Sequence, residues 1–361
     1  MYLCSKFLIL EPKTDTRRWR LPAEWEPQWG VQLTWPHAQT DWAPMLDEIT
    51  ATYHEIAREI SKHENLLIVG PSANTHLSSL TSHLLPLETN DTWARDHGFI
   101  TLTDDEGHHR LLDFCFNGWG EKFPAELDNA INRRLYDEGL PPLSPADSPP
   151  RAEGQSSEYT DCLDFVLEGG SIESDGRGTV FTTTGCLLAP HRNQPLTKDD
   201  IETRLKRDLH AERILWIDHG NLMGDDTDGH IDTLVRICPD DTLLYMGCDD
   251  PKDEQYDELR QMEEQLKTFR TIDGRPYVLK KLPMPCPIYD GDDRLPATYA
   301  NFLVVNGAVL CPTYAQPDLD AQALRTISEA FPDREIVGID CRSIIKQHGS
   351  LHCCTMQFPS I

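Results

Sequence analysis

One order of elements recurs along this chain and limits what it can fold into: strand, strand, helix, strand. Residues 170–173 and 179–183 flank Asp175-Gly176, a dipeptide that accepts the positive φ angles of a tight hairpin. A polar helix at 198–209 and a β-rich run at 213–217 follow. The same order returns with strands at 231–237 and 242–245, a helix face marked by Tyr256, Leu259, Met262, Leu266 and Phe269, and a strand at 277–282. It returns again with strands at 299–305 and 308–311 around the turn Asn306-Gly307, a helix over 319–331 and a strand at 335–339. A weaker copy begins near Gly98. A fifth unit would combine a strand at 30–36, the amphipathic helix 45–63 (Leu46, Ile49, Tyr53, Ile56, Ile60) and a strand at 66–69, if a C-terminal strand at 351–357 joins them. Five such units, with a period of roughly 60 to 75 residues, would close into a ring. The alternative is an open α/β sheet.

The Pro, Ser and Gly-rich stretch 140–157 reads as a surface loop rather than a domain boundary, so a single domain over residues 1–361 is expected. No run of roughly 20 uncharged apolar residues occurs. The apolar start, 1–10, is interrupted by Lys6 and lacks a small-residue cleavage site, so it reads as a short extension rather than a signal peptide. The eleven cysteines form neither a zinc pattern nor an even disulfide framework, which favours a reducing cytoplasm. A formal charge of -27 argues against nucleic acid or an anionic membrane as partner and suits a cationic small molecule.

Polar residues recur just ahead of the first strand of successive units: Asp96 before Gly98, Glu168 before Gly169-Gly170, and His230 beside Asp232. Equivalent positions in a cyclic array face one axis, so these side chains would converge. A nucleophile is available at the C-terminus, where Cys353 and Cys354 precede a short strand; alternation lets only one face the pocket, and spacing does not choose. A metal reading of His230 and Asp232, following Asp225, Asp226 and Asp228, is the lesser one, because the further His and acidic motifs of a two-metal hydrolase are missing.

Seven segments carry a family likeness: Leu21-Pro22-Ala23-Glu24-Trp25-Glu26-Pro27, Asn90-Asp91-Thr92-Trp93-Ala94-Arg95-Asp96, Phe116-Asn117-Gly118-Trp119-Gly120, Glu168-Gly169-Gly170-Ser171-Ile172, Asp228-Gly229-His230-Ile231-Asp232-Thr233, Leu295-Pro296-Ala297-Thr298-Tyr299-Ala300-Asn301-Phe302 and His352-Cys353-Cys354-Thr355-Met356-Gln357. In these the chain resembles the agmatine deiminases of the guanidino-group-modifying, or pentein, superfamily. The resemblance implies an α/β-propeller of five pseudo-symmetric ββαβ units, a nucleophile at Cys353, and hydrolysis of agmatine to N-carbamoylputrescine and ammonia through an amidino-cysteine. Position and resemblance together assign Asp96 and Asp232 to the guanidinium, His230 to proton transfer and Glu168 to orienting His230. Trp93 and Trp119 are expected along the aliphatic chain, and Asp91, Asp225 or Asp226 at the distal amine. No cofactor or metal is required, and a homodimer is what the resemblance suggests. Two departures stand out: Phe99 follows Gly98 where the family often has Pro, and Gln347-His348-Gly349-Ser350 replaces a glycine-rich run.

Overall fold

The computed structural model describes residues 18–71, 77, 83–142 and 157–360. The N-terminal extension and most of the 140–157 loop therefore lie outside the described residues.

Five sheets repeat one pattern: an antiparallel pair, then a parallel strand added after a helix. Ile100–Thr103 pairs antiparallel with His109–Cys115, which runs parallel to Ser157–Val166. Ile172–Ser174, Thr179–Thr183 and Arg213–Ile217 do the same. So do Val235–Cys238, Thr242–Met246 and Val278–Leu282, and then Leu303–Val305, Ala308–Thr313 and Glu335–Asp340. In the remaining sheet the C-terminal strand Thr355–Pro359 lies antiparallel to the N-terminal Gln28–Thr34, which runs parallel to Asn65–Gly70. The two ends of the chain thus build one unit together, and a fourth strand, His83–Pro86, extends that sheet.

The helices lie where the apolar spacing puts them. Leu46–Ile60 turns Ile49, Tyr53, Ile56, Ala57 and Ile60 inward, all fully buried. Each large side chain so buried contributes roughly 1.5–3 kcal/mol. Lys198–Asp208 starts with a reciprocal capping box between Thr197 and Asp200.

Three expected strands are shorter than the pattern suggests, for one reason. Residues 231–233 and 352–354 form single 3-10 turns, and residues 299–302 are irregular, so the strands begin at Val235, Thr355 and Leu303. In each case the chain bends just before its sheet, where polar groups bond across units: Thr298 Oγ1 donates to the Thr233 carbonyl (2.7 Å), and the His352 N–H to Asn301 Oδ1 (2.8 Å). No helix among the described residues is long and apolar enough to cross a membrane.

Candidate active site

The bends ahead of the sheets bring Asp96, Glu168, His230, Asp232 and Cys353 together, all of them buried. Asp96 lies on the short helix Ala94–His97, Glu168 caps the turn Gly169–Ser171, His230 and Asp232 flank the start of the turn Ile231–Thr233, and Cys353 is the centre of the turn His352–Cys354. Alternation along a strand therefore does not decide between the cysteines. Cys353 reaches the cavity, with its Sγ 3.4 Å from Asn301 Oδ1, while the Cys354 thiol turns back to the Ser350 carbonyl, also at 3.4 Å.

Asp96 accepts from Trp119 Nε1 at 3.0 Å and from the Gly170 N–H at 3.4 Å, and its Oδ1 stands 3.6 Å from His230 Nδ1. Gly170 is needed there: a Cβ would lie 2.6 Å from His230 Nδ1 and 3.0 Å from Asp96 Oδ1. Burial lifts the Asp96 carboxyl to about 6, with Asp232 and Glu168 adding to the lift and His230 and Trp119 resisting it. Burial disfavours charge on His230, yet Asp96, Cys186 and Glu168 outweigh it and hold the imidazole well above its ordinary value. Besides the Cys186 thiol, neither of its ring nitrogens has a hydrogen-bond partner among the described residues.

Asp232 is desolvated too, but His352, His230 and Arg236 offset that and keep it below the usual carboxylate range. His352 Nδ1 lies 2.7 Å from Asp232 Oδ2, and its Nε2 2.8 Å from Glu24 Oε2. Arg236 joins Glu24 and Glu173, each at 2.6 Å. Asp232 Oδ1 has no partner among the described residues. Glu168 Oε1 accepts from Arg192 Nε at 2.8 Å, both side chains fully buried, and Arg192 continues to Asp228 at 2.7 Å. Burial raises the Cys353 thiol well above its ordinary value, and the charges of Asp232 and Asp96 raise it further.

In front of Cys353 lies a cavity of about 210 Å³ lined by Asp41, Asp91, Trp93, Asp96, Trp119, Phe123, Asp226, Thr227, Gln347, His348 and Gly349. Four of these are carboxylates, and no lysine or arginine is among them. Asp91 accepts from Trp93 Nε1 at 3.0 Å; burial lifts its carboxyl to about 7, the Trp93 bond opposes this, and Asp41 adds to it. Trp93 and Trp119 meet edge to face, with ring centroids 6.4 Å apart. Asp225 does not line the cavity: its oxygens hold Thr227 Oγ1 and the Gly229 N–H, fixing the loop that carries His230. The acidic run at 225–228 does not gather around an ion either, since Asp228 is taken up by Arg192 and Lys122. Among the described residues, three metal-capable donors meet at Glu168, Cys186 and His230. Arg192 lies outside the motif segments, and Asn301, His352 and Glu24 lie inside them with no spacing that announces a role; each has a partner in another unit of the fold.

This architecture is that of the deiminases of guanidino compounds. A family profile described as Porphyromonas-type peptidyl-arginine deiminase matches residues 20–359. A Porphyromonas gingivalis structure provisionally described as an arginine deiminase superposes with a TM-score of 0.86 at 50% identity, covering 94% of this chain and 98% of that one. A cysteine-to-serine variant of the C. jejuni agmatine deiminase with substrate bound gives 0.85 at 36% identity, over 95% and 97% of the two chains. The agmatine deiminase of Pseudomonas aeruginosa is 32% identical over 377 residues, 97% of each chain. The chain belongs to the Porphyromonas-type peptidyl-arginine deiminase family, with agmatine deiminases as full-length relatives.

Proposed function

We propose that this chain hydrolyses agmatine to N-carbamoylputrescine and ammonia, with Cys353 as nucleophile. The observation that carries the reading is a pair of buried carboxylates, Asp96 and Asp232, whose charges both act on the Cys353 thiol beside an acidic cavity. A planar guanidinium offers paired N–H donors to each carboxylate, which holds its carbon against the sulfur. The bound cation offsets one of the two carboxylate charges, and so removes part of what holds the thiol protonated.

As the cation binds, the Cys353 thiol loses its proton to solvent; the thiolate attacks the guanidinium carbon, and the imidazolium of His230 gives its proton to the departing nitrogen, releasing ammonia and leaving the amidino-cysteine. Neutral His230 then takes a proton from water. The resulting hydroxide adds to the same carbon, and collapse breaks the C–S bond, the hydroxyl proton returning to the sulfur as the ureido product leaves. Glu168, held by Arg192, orients His230 and favours its charged form. Trp93 and Trp119 flank the aliphatic chain, and Asp91 with Asp226 receives the distal ammonium, which suits a dication better than the carboxylate of free arginine.

The five units form one domain, closed as a pentein propeller about this site, for which the pairing of the terminal strands is the supporting observation. Ten cysteines among the described residues are unpaired, which fits the reducing cytoplasm. A homodimer is the expected assembly; a single monomeric species in sedimentation at micromolar concentration would exclude it.

The test compares agmatine, arginine and a blocked arginyl peptide, with and without chelator, beside Cys353→Ala. Agmatine turnover that survives chelator and is lost in the variant is expected. Turnover of the peptide or free arginine alone would move the substrate and leave the chemistry; activity in Cys353→Ala would overturn the mechanism.

A further inference from the structure

We infer that Glu168, Cys186 and His230 form a binding site for a thiophilic divalent ion such as Zn2+, and that filling this site arrests the enzyme. The three donor atoms all lie within 4.8 Å of one another, and all three side chains are fully buried. Among the described residues Glu168 Oε2 has no hydrogen-bond partner, although buried polar atoms are seldom left so, and the His230 ring meets only the Cys186 thiol and, at 3.6 Å, Asp96 Oδ1. One sulfur, one imidazole and one carboxylate are the donor types zinc takes, with three protein ligands leaving a fourth position for water. Magnesium and calcium, which want six or more oxygens, are not served.

The site is also held in shape. Cys186 sits in the short turn Thr184–Leu187, where Thr183 Oγ1 accepts from its N–H at 3.2 Å. The same hydroxyl donates to the Gly229 carbonyl at 2.6 Å, which ties the cysteine turn to the residue preceding His230. Cys186 touches no reacting atom in the proposed chemistry and does not line the substrate cavity; its only link to the reaction is through His230. Arg192 opposes an ion, but it occupies Glu168 Oε1 and leaves Oε2 open.

The arrest follows from proton bookkeeping and rests on the role of His230 proposed above; the binding itself does not. A ring nitrogen bound to the ion no longer carries the proton needed by the leaving ammonia. Glu168 and His230 do not line the substrate cavity, so an ion held between them leaves the places of Asp96 and Asp232 unchanged, and inhibition falls on kcat rather than KM.

Metal-stripped Cys353→Ala protein is titrated with Zn2+ against a competing chelator, beside Cys353→Ala/Cys186→Ser. One ion per chain is expected, weakened at least about tenfold by the serine. In the otherwise native enzyme, zinc should lower kcat reversibly, and Cys186→Ser should resist it by a similar factor. Cys186→Ala provides a second variant should serine impair folding, and a zinc-induced rise in melting temperature that both Cys186 variants lack reads the site without turnover. Zinc bound equally with and without Cys186, or only when Cys353 is present, would overturn the inference. Should the chain fail to deiminate agmatine, the binding arm still decides the site.

Discussion

Cys353 sits where an unassisted thiol stays protonated, because burial and two carboxylates oppose the thiolate. In the proposed mechanism the bound cation relieves this, so binding and activation are one event, and the two carboxylates should reveal it differently. Asp96, lifted to about 6, must be ionised to hold the cation. KM for an alkylguanidine without a distal amine should therefore rise as pH falls through about 6 and level off above it, whereas agmatine adds a second rise near 7 as Asp91 protonates. Asp96→Asn should flatten that dependence and cost at least about 10²-fold in kcat/KM, since it misplaces the reacting carbon. Asp91, lifted to about 7 with no cation beside it, is expected to act on the other end of the substrate. Asp91→Asn should raise KM for agmatine roughly tenfold, about 1.4 kcal/mol, while leaving an alkylguanidine without a distal amine unaffected; equal loss with both compounds would remove Asp91 from that role. Asp96, Glu168 and the pair His230 and Asp232 are legible in the sequence because each stands just ahead of the first strand of a repeat. Arg192 lies in none of the motif segments, and Asn301, which lies in one, has partners in other units that no spacing announces. Asp225 misleads for a related reason: an Asp near a functional histidine looks like a ligand, yet it serves its own loop.

Short elements aim these side chains, and their geometry is demanding. Gly118, Trp119 and Gly120 all adopt positive φ, so the Trp119 indole leaves the chain at a position where it can donate to Asp96. At Gly120 (φ 86°) an added Cβ would lie 2.8 Å from the Pro190 carbonyl. Gly120→Ala should cost roughly 1–3 kcal/mol in urea denaturation and raise KM by loosening the Trp119 contact. Arg192→Met leaves Glu168 a buried carboxylate without its cation, and should cost roughly 3–5 kcal/mol together with a loss in kcat; a thermal melt unchanged from the parent would contradict that ion pair. Helices are the most legible elements, since their apolar spacing runs over three or four turns. The 3-10 turns at 231–233 and 352–354 are the least legible, because three residues carry no periodicity and apolar Ile231 and Leu351 read as strand.

At the scale of the whole chain, the last strand completes the sheet begun by the first, and it is entered through the turn that carries Cys353. The nucleophile is thus set only when the ends have met. A charge of -27 surrounds the cavity with an attractive field for a dication. Raising ionic strength from about 0.01 to 1 M shrinks the screening length from about 30 to 3 Å, and kcat/KM for agmatine should fall severalfold, less for a monocation. The repeat order made a five-unit architecture readable, including the role of the C-terminal strand, whereas the contacts between units depend on side chains that no repeat specifies. The most direct test of the account is the mass of the chain during turnover. Enzyme quenched in acid within milliseconds of mixing with agmatine should carry the substrate less ammonia, localised by peptide mapping to Cys353 and absent from Cys353→Ala. Ammonia release with no adduct at any cysteine, or an adduct on Cys354, would contradict it.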